Sequence, residues 1–141
     1  MKKALVILLA VCLFLSLFGC GSASQRLIPK RMDEVSCIHA AHYSAAPDSP
    51  AGAKVCDGET EITDQKTIDA IIRELHAYRP DWPHRPMSGG RRIELSFYSA
   101  NDRLLGQVSL DDEGICASTF CGQGNCVIGG DFDFARWEAL F

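Results

Sequence analysis

The chemistry-capable side chains of this 141-residue chain are mainly its seven cysteines and four histidines. Cys37, Cys56, Cys116, Cys121 and Cys126 lie downstream of residue 30, and His39 and His42 stand beside the first of them. Thiolate and imidazole are zinc ligands, and a structural zinc takes four of them in a tetrahedron. Cys116, Cys121 and Cys126, completed by His39 or His42, are the candidate metal set. Their spacing lacks the Cys-x-x-Cys pairs of common zinc sites and of redox dithiols. The competing use of the same residues is disulfide bonding. Cys37 with Cys56 and Cys121 with Cys126 are the expected bridges, and pairing of Cys116 with Cys126 or Cys121 is the alternative. Five cysteines cannot all pair within one molecule.

Other clusters carry less chemistry. His39 and His42 are three residues apart, which on a strand sets them on opposite faces. The segment Asp81-Trp82-Pro83-His84-Arg85-Pro86 is aromatic and basic, and Trp82, His84 and Arg85 are the candidate contact loop, since Trp and Arg are frequent anchors of interfaces. Asp111-Asp112-Glu113 is an acidic turn without the spacing of an EF-hand. The glycines near residues 122–124 and 129–130 lack the strand-loop-helix context of a phosphate loop. No serine stands in a nucleophile elbow. A catalytic constellation is therefore not expected.

The elements that must position these residues can be read from periodicity. Residues 35–44 and 53–62 are expected strands, the second with acids at alternate positions 57, 59 and 61. Ile68, Ile71, Ile72, Leu75 and Tyr78 form one apolar stripe of a helix over residues 64–78, capped by Thr63 or Asp64 and stopped by Pro80. Asp69 and Arg73 have the i, i+4 spacing of a helix ion pair. Residues 80–90 are expected to be loop. Residues 92–98 and 104–110 alternate as strands, and 115–120 with 126–128 form a last hairpin. Phe134, Trp137, Leu140 and Phe141 give a short C-terminal helix an apolar face, with Asp133 as its cap. The fold class is α+β: a mostly antiparallel sheet of about 4–6 strands, one amphipathic helix on a face, and a short C-terminal helix.

The N-terminus speaks about location. Lys2 and Lys3 precede an apolar run over residues 4–18, the pattern of a secretory signal. Leu17-Phe18-Gly19-Cys20 resembles the lipobox of bacterial lipoproteins, in which an aliphatic, a variable and a small residue precede cysteine. The resemblance covers only this segment. It implies a signal peptide at 1–19, a lipid on Cys20 as first mature residue, a tether over 20–33, and a single α+β domain over 34–141. A spanning helix needs about 20 apolar residues, more than this run supplies. Gly21, in place of an aspartate, fits the outer membrane where there is one.

The implied localisation is the cell envelope, on the outer face of the cytoplasmic membrane or on the outer membrane, where disulfides persist. Without Lys2 and Lys3 there are 12 basic and 18 acidic residues, a formal charge of −6, which speaks against nucleic acid as partner. The expected function is a membrane-anchored, non-catalytic binding or interaction domain, with membrane lipid as one partner and an envelope protein as another. No cofactor beyond the covalent lipid is expected. The alternative is a zinc-binding or thiol-active envelope protein built on Cys116, Cys121 and Cys126.

Overall fold

Alternation of apolar and polar residues along successive strands builds one sheet with a dry face and a wet face. A computed structural model describes residues 26–46, 53–81, 86–87, 90–120, 124–129 and 131–141. The strands are β1 (Val35–Ala45), β2 (Lys54–Ile62), β3 (Arg79–Asp81), β4 (Arg92–Ser99), β5 (Leu104–Asp111), β6 (Ile115–Ser118) and β7 (Cys126–Gly129). Among the described residues there are also two helices, α1 (Gln65–Ala77) and α2 (Phe134–Glu138). The strand order is β2-β1-β4-β5-β6-β7-β3, with every pairing antiparallel.

Among the described residues the sheet thus has seven strands rather than the four to six expected. The uncounted strand is β3, where Arg79-Pro80-Asp81 follows α1 directly. Proline ends the helix because it has no N–H to donate. At the sheet edge the same deficiency is tolerated, and β3 pairs only with β7.

Ile38, Ala40, Ile93, Leu95, Phe97, Val108 and Leu110 fill the dry face. The α1 stripe of Ile68, Ile71 and Leu75 is buried, and Phe134 and Trp137 of α2 join the same core. The Asp64 carboxylate caps α1 by accepting from the Thr67 N–H at 2.9 Å and hydroxyl at 2.8 Å. These donors hold its carboxyl below the usual range.

The domain begins upstream of residue 34. Leu27 and Ile28 are buried in the core, the Leu27 carbonyl accepts from the Ser118 hydroxyl, and the Pro29 carbonyl lies 2.8 Å from the His76 ring. The segment read as tether is therefore partly core. Leu27 and Ile28 are adjacent and too few to show a period, so only packing reveals them.

The acidic turn between β5 and β6 is explained by backbone. The buried Asp111 carboxylate accepts from Glu113 N–H at 3.1 Å and Ile115 N–H at 2.7 Å. Gly114 has φ +77°, a conformation costly for any residue with a Cβ. Gly114→Ala should lose about 1–2 kcal/mol, read as a lower denaturation midpoint; an unchanged midpoint would show that the turn relaxes freely.

Candidate functional site

At the β3 edge, α1, β3, β7 and α2 enclose a cleft of about 840 Å³ lined by Ala70, Arg73, Glu74, Ala77, Tyr78, Arg79, Gly129, Asp131 and Arg136. Each wall has a local cause. Positions 70, 73, 74 and 77 follow i, i+3, i+4 and so share one face of α1. Arg79 enters because β3 starts where Pro80 ends the helix. Trp137 Nε1 donates to the Tyr78 hydroxyl at 2.9 Å, and that hydroxyl donates to Glu74 Oε1 at 2.9 Å. This relay ties α2 to α1 and fixes the cleft floor. Burial pushes the Tyr78 phenol well above its ordinary range; the Trp137 donor opposes the rise and Glu74 adds to it.

Charge in the cleft is unevenly satisfied. Arg136 lies 3.9 Å from Glu74 and 3.8 Å from Asp133. The expected Asp69–Arg73 pair is not made; Asp69 accepts instead from Gln65 Nε2 at 2.8 Å. Among the described residues neither Arg73 nor Arg79 has an ion-pair partner. Two arginines thus border an apolar floor of Ala70, Ala77 and the Tyr78 ring. Guanidinium presents five N–H donors in a fork that matches carboxylate or phosphate.

Of the cysteine pairings offered by the sequence, the alternative one, Cys116 with Cys126, is formed. Cys116 and Cys126 are direct partners across β6 and β7 and form a disulfide, with Cα atoms 5.3 Å apart. The two cysteines are 10 residues apart in sequence, and closing a loop of that size contributes about 3 kcal/mol by unfolded-chain entropy. Cys126 is therefore not bridged to Cys121, which itself lies outside the described residues. Cys37 and Cys56 are not bridged. In the β1–β2 register Cys56 opposes Tyr43, which sets Cys37 six positions away along β1, about 20 Å at strand rise. A disulfide needs Cα atoms within about 7 Å.

The proposed zinc set is not assembled either. The disulfide consumes the thiolates of Cys116 and Cys126. His39 and His42 lie on β1, three strand spacings or about 14 Å from β6, and the two histidines point to opposite faces. His42 sits on the dry side against Phe134 and Phe141, with Nδ1 2.5 Å from Asp57 and Nε2 3.4 Å from Glu138. The Ser44 hydroxyl, then His42, hold the Asp57 carboxyl below its usual range. Arg91 reaches both Glu138 and Asp112 and stacks over Phe134 at 5.3 Å. This group pins α2 to the sheet.

His39 is on the wet face, 4.9 Å from the Tyr98 ring, with its ligand nitrogen near Cys37 and Glu61. Burial raises the Cys37 thiol pKa, and the Glu61 hydrogen bond and charge and the Asp102 charge add to it. In the linear sequence Glu61 shows only as one of the alternating acids of the second strand, not as a partner of Cys37 and His39. The only signal that could have found it was the strand register, which one chain read linearly does not display.

Trp82, His84, Arg85 and Cys20 lie outside the described residues. Among the described residues no helix is long and apolar enough to cross a membrane. Comparison with protein-family descriptions, with curated proteins and with solved structures returned no match.

Proposed function

We propose that this chain is a lipid-anchored protein of the cell envelope whose domain binds a ligand without transforming it, and that the α1–β3–β7 cleft is the binding site. The ligand class is a small amphiphile: a carboxylate or phosphate joined to an apolar part. The observation that carries this reading is the placement of Arg73 and Arg79, unpaired among the described residues, around one apolar floor.

The anchor rests on Lys2-Lys3, the apolar run and Leu17-Phe18-Gly19-Cys20. Six residues separate Cys20 from the buried Leu27, at most about 25 Å of chain. A lipid on Cys20 would hold the domain close to the bilayer. The described start of the chain packs beside α1, where the Pro29 carbonyl lies 2.8 Å from the His76 ring.

Titration of the full chain with decanoate, followed by calorimetry, tests the cleft. Arg79→Glu should weaken decanoate binding by at least about tenfold, the scale of one charge-assisted pair. Lys66→Glu, an exposed change outside the cleft, should leave it unchanged, and decanol should bind far more weakly than decanoate. Equal binding by the Arg79 variant, or equal binding of decanol, refutes the assignment.

A further inference from the structure

Cys37, His39 and Glu61 stand on the wet face at the β2–β1 edge, the opposite end of the sheet from the arginine-lined cleft. Backbone alone places them. Cys37 and His39 are two residues apart on β1, so extended chain sends both side chains to one face. Glu61 is the residue of β2 paired directly with His39, which brings their Cβ atoms to about 5 Å. A β-bulge between Val35 and Cys37 shifts the β1–β4 register. It lets Val35 remain in the core while Cys37 turns to the wet face. One sulfur, one imidazole nitrogen and one carboxylate oxygen therefore lie within 4.8 Å of one another. Cys37 is half-buried and the other two are exposed, so the group is open to solvent.

The geometry points to a binding site for one divalent transition metal of the zinc type, held by Cys37 Sγ, a His39 ring nitrogen and a Glu61 carboxylate oxygen. Zinc bonds to sulfur, nitrogen and oxygen are about 2.0–2.3 Å, which puts tetrahedral ligands about 3.5 Å apart. The three atoms need close by only about 1 Å, a movement of side-chain torsions that leaves both strands in place. The fourth position faces solvent and takes water. A sulfur–nitrogen–oxygen set selects zinc and its neighbours over magnesium and calcium, which require mostly oxygen ligands. On binding, the Cys37 S–H bond breaks, its proton passes to solvent, and the sulfur lone pair forms the bond to the metal. No electron changes hands. The Tyr98 ring against His39 restricts the imidazole orientation and lowers the cost of ordering it.

The test is metal titration of the full chain with its disulfide intact, using Co²⁺ as a spectroscopic probe and Zn²⁺ as competitor. One equivalent of Co²⁺ should give a near-ultraviolet sulfur-to-cobalt charge-transfer band with the visible bands of a four-coordinate ion, and Zn²⁺ should displace it. Cys37→Ser should abolish the charge-transfer band. His39→Ala and Glu61→Gln should each weaken binding by at least about tenfold, and Cys56→Ser, on the same strand pair but remote from the three ligands, should change nothing. The substituted side chains are at most half-buried, so wild-type melting transitions are expected and establish that losses are local. No charge-transfer band in the wild-type chain, a band that survives Cys37→Ser, a band lost with Cys56→Ser, or undiminished binding in both His39→Ala and Glu61→Gln would each overturn the site.

Discussion

Ile71→Asp should leave the domain unfolded at room temperature. Ile71 is buried at the centre of the α1 stripe, between Ile68 and Leu75, where the helix meets the dry face of the sheet. Removing the isoleucine forfeits about 1.5–3 kcal/mol of apolar burial. The carboxylate that replaces it must lose its hydration or drag water into the core, a further cost of several kcal/mol for a charge without a partner. The sum rivals the whole stability of an ordinary domain, about 5–15 kcal/mol. The expected measurement is loss of the cooperative thermal transition and of near-ultraviolet circular dichroism. Lys66→Asp puts the same side chain on an exposed turn of the same helix and should melt close to wild type. That control separates the buried stripe from helix propensity. If both variants melt alike, α1 does not seal the core.

Cys20→Ser should block lipidation and signal cleavage in a bacterium that processes lipoproteins. A serine hydroxyl does not receive the diacylglyceryl group that the lipobox resemblance assigns to the thiol, and in that family cleavage follows lipidation. The expected product is a precursor still carrying residues 1–19, seen as a mass increase over the mature chain and as loss of the lipid-dependent shift into a detergent phase. The size of the effect follows from area: each buried methylene contributes about 0.8 kcal/mol, so one chain binds marginally while two or three hold firmly. Normal cleavage and retention of the serine variant would end the anchor proposal, without touching the cleft or the metal site, whose tests use purified protein.

Much of the fold was legible in linear order because its signals are local. The strand alternation at 92–98, the helical stripe at 68–78 and the Asp64 and Asp133 caps all concern residues within a few positions of one another, and the corresponding elements stand where expected. β3 escaped notice because three residues are too few for a period and proline argues against a strand everywhere but at an edge. Leu27 and Ile28 escaped for a similar reason.

The candidate sites were legible only in their parts. Arg73 reads in the sequence only as the i, i+4 partner of Asp69; its meeting with Arg79 over one cleft depends on where β3 and α2 pack. Cys37 and His39 were both noted, but with the wrong associates. The register that sets Glu61 opposite His39 also carries Cys56 about 20 Å from Cys37, and the β6–β7 pairing gives Cys126 to Cys116.

Short-range physics within the chain thus determined the element types, the dry and wet faces of the long strands, and the sulfur and nitrogen chemistry on offer. Which cysteine meets which partner, and which arginines share a cavity, was decided by strand register, β-bulges and edge order. Those are long-range choices: a shift of one residue in a strand exchanges its faces, and the energy that selects the register comes from burying the whole dry face at once.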